Sequence, residues 1–442
     1  MSPYAKAWRL AWPVILSGLS VPLLGAVDTA VMGHLPDAAY LGAVAVGALV
    51  FDFVYWGFGF LRMGTTGFAA QAHGAGDAVA VKLALLRPLG LALGLGGLLW
   101  ALQGPIEAVA FRLVSAGPEI APLARAYFRV RIWAAPAVLV NYAVLGWLLG
   151  TQRPRHALAV QVAVNGLNLG LDLLFVQGFG WGVVGVAAAT AIAQGLGALL
   201  GALVVWRALR PLQAPVPPGA LWDREALGAL WRVNRDLFIR TLALIGAFAW
   251  FTTQGAAQGK VILAANAVLL NLQTLMAYGL DGFAHAAEAL VGDALGARAP
   301  SRLRAALRGT LGLSVAIALA FTAAWALAGS AVVDLLTDLP AVRATARDYL
   351  PWAVASPLVS VWCFWLDGVF IGATHTRAMR DGMVLSLLGD LAVAALAQPL
   401  WGNHGLWLGL LTFFALRGLT LCARLPTLIR DVQRPGAPAS PA

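Results

Sequence analysis

The chain has 442 residues, of which 60% are hydrophobic and only 11% charged, with a mean hydropathy of +0.79 and a net charge of +10. That balance excludes an ordinary soluble domain and points to a polytopic membrane protein. Its basic residues are scattered between apolar runs, without the dense basic and aromatic surface of a nucleic-acid binder. Cys363 and Cys422 both fall in apolar runs and imply no disulfide or zinc framework.

The apolar pattern predicts twelve spans, roughly 11–34, 40–71, 83–103, 121–150, 157–177, 182–206, 237–256, 262–292, 305–330, 346–372, 383–400 and 404–424. The first run reaches full spanning length, so it reads as a span and not as a cleavable leader. It carries Pro13 and Pro22, each able to bend a helix, and one acid, Asp28. A carboxylate inside hydrocarbon costs about 2.5–3.5 kcal/mol on insertion scales, which makes it a functional candidate.

Span two places Asp52, Tyr55, Arg62 and Thr66 at helical spacing on one face, with a structural ion pair as the plainer reading. In span five, Asn168 and Asp172 are four residues apart and share a face. Span six carries Thr190 near mid-membrane. Asp28, Asn168, Asp172 and Thr190 could therefore converge in one pocket that takes up a proton or holds a Na⁺ through oxygen ligands.

The only long polar connection, 207–236, starts with the Pro-rich PLQAPVPPG and continues as WDREALGALWRVNRD, which reads as an amphipathic surface helix. Span eight carries Asn271, Thr274, Tyr278, Asp281, His285 and Glu288 at steps of three and four, a polar stripe suited to proton transfer or to a cationic ligand. Asp367 in span ten and Asp390 in span eleven complete the intramembrane acids of the C-terminal half.

The two halves repeat. LGAVAVG at 41–47 aligns with LAANAVL at 263–269, ARAYF at 124–128 with ARDYL at 346–350, and Asn168 with Asp390. Asp28 aligns with Trp250, so this acid belongs to one half only. Parallel repeats of six spans imply two bundles related by an axis along the membrane normal. The expected organisation is a bundle over 1–206, a linker over 207–236, and a second bundle with a short tail over 237–442. Lys6, Arg9, Lys82, Arg153, Arg210, Arg302 and Arg424 are among the many basic residues on the side of both termini. The other side holds Arg112, Arg125, Arg129, Arg131, Lys260, Arg343 and Arg347. This bias predicts cytoplasmic N- and C-termini.

No Gly-rich phosphate loop of the GxxxxGK[ST] kind occurs, and no metal-spaced histidines or nucleophile–His–acid set stands out. An enzyme is thus disfavoured, and no cofactor is expected.

The segments VPLLGAVDTAVMGHL, LRMGTTGFAAQAHGA, GWLLGTQRPR, NRDLFIR, LDGFAHAAEALVG, LDGVFIGAT and GNHGLWLGL together resemble the multidrug and toxic compound extrusion (MATE) transporters. Within them the likeness is to the DNA-damage-inducible protein F (DinF) subfamily. The resemblance implies an all-α fold of twelve spans in two pseudo-symmetric bundles. It also implies an inner-membrane location among membrane lipids and export of organic, often cationic, small molecules by a monomer, driven by H⁺ or Na⁺. The family's cation site maps onto Asp28, Asn168, Asp172 and Thr190, which would also be the Na⁺ site. Tyr55, Arg62, Tyr278, Asp281, His285, Glu288 and Asp367 are expected to line the substrate cavity or the polar face of the second bundle. The family's other branch has an acid in span seven that LFIRTLALIGAFAWFTTQG lacks. The alternative is a flippase for a lipid-linked saccharide; there intramembrane arginines should dominate, and acids outnumber them here.

Overall fold

The computed structural model describes residues 2–33, 38–114 and 117–433, with side chains outside 21–33, 38 and 431–433. Among these residues every regular element is helical. In chain order the helices are α1 (Pro3–Gly33), α2 (Ala38–Gly57), α3 (Phe60–Ala75), α4 (Ala78–Ala101), α5 (Gln103–Leu113), α6 (Ile120–Arg131), α7 (Ala135–Gly150) and α8 (Pro154–Asp172). They continue with α9 (Gly182–Leu209), α10 (Arg224–Ala257), α11 (Lys260–Gly296), α12 (Pro300–Leu336), α13 (Pro340–Gly372), α14 (Thr376–Trp401) and α15 (Asn403–Gln433). Among the described residues eleven spans after α1 are long and apolar enough to cross a bilayer. The all-α, twelve-span architecture expected from the sequence is the one found.

Three spans are less regular than periodicity suggested. Span two breaks at Phe58–Gly59, where α2 ends in a turn and α3 begins. Asp52 and Arg62 consequently stand on different helices, and the single face read for span two does not exist. Span four bends through one 3₁₀ turn at Ile132–Ala134, and span five ends in a π-helical turn at Leu173–Gly178. The WDREALGALWRVNRD stretch runs on without a break into span seven as α10, which contains no proline. Asp223 caps it by accepting the amide of Ala226 at 2.8 Å.

The chain forms two compact units. One comprises residues 16–73 and 77–230; the other comprises 1–15, 74–76 and 231–442. The repeat is written in their backbones. Left-handed residues recur 222 positions apart: Gly76 and Arg298, and Gln152 and Thr374, all with φ between 47° and 69°. Close helix crossings recur too. In the first unit Gly146 and Gly150 of α7 lie against the carbonyls of Arg62 and Thr66 on α3; in the second Gly368 and Gly372 of α13 lie against those of Ala284 and Glu288 on α11. A Cβ at any of the four would collide with backbone. In lipid, helices associate by close packing and not by hydrophobic expulsion, so a Gly-x-x-x-Gly pair that brings backbones together holds each crossing.

Candidate functional site

In the first unit the site is built on α8. Asn165, Asn168 and Asp172 share one face at steps of three and four. Asn168 is 2% exposed and Asp172 fully buried. Asn168 Nδ2 donates to Thr190 Oγ1 of α9 at 3.4 Å, and the Thr190 hydroxyl donates to the Val186 carbonyl at 3.0 Å. One turn away, Gln161 Nε2 donates to Asn165 Oδ1 at 3.0 Å, and Asn165 Nδ2 donates to Ser20 Oγ of α1 at 2.8 Å. This chain ties α1 to α8 eight residues before Asp28. Asp28 belongs to α1, but its side chain lies outside the described residues. Asp172 is the last residue before the π-helical turn, a backbone irregularity that recurs at functional sites. Three of the four residues expected at a cation pocket thus stand on adjoining helices of one unit, with the amide and hydroxyl already bonded to each other.

Around Tyr55 the arrangement differs from the expected face. Tyr55 is buried and stacks on Phe51 at 5.4 Å. Arg131, at the end of α6, lies 4.9 Å over the Phe51 ring and donates to the Tyr127 hydroxyl at 2.6 Å. Arg62 is half-buried on α3, where its carbonyl accepts the Thr66 hydroxyl at 2.9 Å. The role of Arg131 was not visible from the sequence, which placed it with the loop arginines of one side.

In the second unit Asp367 of α13 sits between two arginines. Arg240 of α10 and Arg417 of α15 both donate to its Oδ2, the latter at 2.7 Å. All three are buried. Arg417 also stacks over Phe413 at 5.3 Å and Phe414 at 5.7 Å, and Asp281 lies within its electrostatic reach. Arg240, at the start of the span predicted over 237–256, is a core residue. On α11 the polar stripe changes character along its length. Asn271 and Thr274 are exposed and donate to the carbonyls of Ala267 and Leu270, one turn back on α11, at 3.0 and 2.9 Å. Tyr278, Asp281 and His285 are half-buried, and Glu288 is buried, with His285 Nδ1 3.8 Å from its Oε1. A further polar node joins α11 and α15: Asn266 and Asn403 exchange amide hydrogen bonds at 2.8 Å, and the Trp407 indole donates to Asn266 Oδ1 at 2.9 Å.

Chemically, the first unit offers a buried carboxyl beside neutral oxygen donors, a setting in which protonation or cation binding changes the local charge. In the second unit the central acid is already paired with two buried cations.

Comparison with known proteins places this geometry. The MatE family profile matches residues 13–174 and 242–396. The chain is 44% identical over 424 residues to the DNA damage-inducible protein F of Escherichia coli K12, covering 94% of this chain and 90% of that one. It is 30% identical to a probable multidrug resistance protein NorM of Deinococcus radiodurans, covering 94% and 93%. A crystal structure described as MATE in the bent conformation superposes with a TM-score of 0.86 at 22% identity over 98% of each chain, a likeness of fold.

Proposed function

Since the chain belongs to the MatE family of multidrug and toxic compound extrusion transporters, and within it to the DinF group, we propose that it is a secondary active antiporter. It exports amphipathic, often cationic organic compounds in exchange for H⁺ or Na⁺. The observation that carries this reading is the buried Asp172 beside the Asn168–Thr190 hydrogen bond, on a helix tied to that of Asp28 through Asn165 and Ser20.

In this reading Asp28 and Asp172 share the coupling ion. Loading it neutralises the pocket, and the α1–α8 contact rearranges while the bundles exchange the face of the bilayer to which the cavity opens. Coupling requires that the ion bind the two states unequally. Tyr55 and Arg62 are assigned to the cargo-facing part of the first unit, and Tyr278, Asp281, His285 and Glu288 to the substrate cavity or the polar lining of the second. Asp367 serves as a fixed part of the second bundle's polar face. The basic residues near both termini support a multi-pass inner-membrane protein with cytoplasmic ends. A lipid-saccharide flippase would need free arginines for phosphate; Arg240 and Arg417 are committed to Asp367.

The test is export of a fluorescent cationic dye from everted vesicles or proteoliposomes, driven by a pH step with and without sodium. Asp28→Asn and Asp172→Asn should each abolish gradient-driven export. Export at wild-type rate by either variant would refute the assignment. Acceleration by sodium at fixed pH would identify Na⁺ as the coupling ion; export indifferent to sodium would identify H⁺.

A further inference from the structure

The second unit contains a buried carboxyl that the cycle above does not use. Asp390 lies about 20 Å along α14 from its first residue, in the middle of a span. It is 2% exposed. Its Oδ1 faces Gly409 of α15, where an added Cβ would stand 2.7 Å from it. The two helices close on each other through small residues on either side: Gly405 meets the backbone of Ala397, and Gly382 meets the Thr420 hydroxyl. Among the described residues none donates a hydrogen bond to the Asp390 carboxyl or forms an ion pair with it.

The charges on the surrounding helices are committed elsewhere. Arg417 on α15 and Arg240 on α10 both hold Asp367 of α13. Arg417 is also eight residues, about 12 Å, beyond Gly409 along its helix. Arg380 of α14 bonds Asp236 and Asp381. His404 of α15 accepts the Trp352 indole N–H at 2.9 Å. Arg377 and Arg424, with Asp381, line a cavity of about 390 Å³ near the start of α14.

An ionised carboxylate with no partner in such surroundings is prohibitively costly, whereas a neutral carboxylic acid is not. A hard metal cation would need several oxygen ligands, and the facing residue is a glycine. The repeat sharpens the point. The equivalent residue of the first half, Asn168, is a neutral amide whose facing helix supplies the Thr190 hydroxyl. Asp390 matches the shape of that amide in either state, but it matches its neutrality and its capacity to donate only when it carries a proton.

We propose that Asp390 is a second proton-binding site, in the C-terminal bundle, which holds its proton while α14 and α15 are closed over it and releases it when they part and water enters. Binding of this proton does not depend on the coupling role of Asp28 and Asp172; only its use in transport rests on that reading.

Infrared spectroscopy of the full-length protein in lipid at neutral pH tests the proposal. Asp390→Asn should remove one protonated-carboxyl C=O band from the wild-type spectrum. Gly409→Ala, which pushes a methyl group toward Oδ1, should keep the band and shift it. If Asp390→Asn does not fold, the Gly409→Ala shift decides alone. Spectra of both variants superimposing on wild type in this region would overturn the proposal. Asp172→Asn is run in parallel. Loss of export there with an unchanged Asp390→Asn spectrum defeats this inference alone. Retained export with the band missing in Asp390→Asn defeats the coupling assignment alone.

Discussion

The two halves share backbone turns and helix crossings 222 residues apart, yet they place charge in opposite ways. The first half puts Asp172 next to an amide and a hydroxyl. The second surrounds Asp367 with two guanidinium groups. Taking the acid from between two buried cations would strand them, a cost that removing a carboxyl from the first site does not carry in the same form. Duplication thus supplied one scaffold twice, and divergence set different partners around the acids of each copy.

Breaking each acid should expose that division. Asp367→Ala leaves Arg240 and Arg417 buried without their counter-ion and should cost about 3–5 kcal/mol of stability. The drop would appear in thermal unfolding in detergent. Asp172→Asn keeps shape and volume and should change stability by less than about 1 kcal/mol while abolishing gradient-driven export. Equal destabilisation by the two variants would erase the distinction.

A smaller contrast concerns the neutral polar nodes. Asn266→Leu orphans the Asn403 amide and the Trp407 indole, all buried, and should cost about 1–3 kcal/mol. The node of the first half joins Asn141 Nδ2 to Gln194 Oε1 at 2.9 Å, and Gln194 is only half-buried. Asn141→Leu should therefore cost less, because the stranded partner can reach polar surroundings. Matched unfolding curves of the two variants check the order.

Much of this was legible in the sequence for a physical reason. Spans declare themselves by length, and an acid within one is conspicuous because it is expensive. Asn168, Asp172 and Thr190 were readable together since helical spacing places the first two on one face and adjacent spans bring in the third. What spacing does not encode is the partner across helices. Nothing in the spacing pairs Arg240 and Arg417 with Asp367, because their meeting point brings together three helices distant in sequence. The break at Phe58–Gly59 also escaped notice: glycine is common in membrane helices, and nothing local marks which glycine ends one. The Asp28 side chain lies outside the described residues, so its place in the pocket stands on the sequence and on the anchoring of α1 at Ser20.

The finest contrast lies at the ends of the spans, at a corner both halves build from the same repeat position. Arg125 in ARAYF reaches Glu107 of α5 at 3.1 Å, with Arg129 joining at 3.0 Å; Arg347 in ARDYL reaches Asp334 at 2.6 Å. The Glu107 side chain is 11% exposed and that of Asp334 39%. Burial pushes the Glu107 carboxyl up, but the hydrogen bonds and charges of Arg129 and Arg125 outweigh it and hold the group below its ordinary value of 4.5. An acid whose folded pKa is depressed adds stability that is complete above the ordinary value and disappears as pH falls through the lowered one. The unfolding temperature of the wild type should therefore decline on acidification below about pH 5, and Glu107→Gln should flatten that part of the decline. At neutral pH Asp334→Asn should lower the unfolding temperature less than Glu107→Gln does, because solvent already screens the more exposed pair. A Glu107→Gln profile parallel to wild type between neutral and acid pH would mean that the corner contributes nothing, and that the two halves do not differ there.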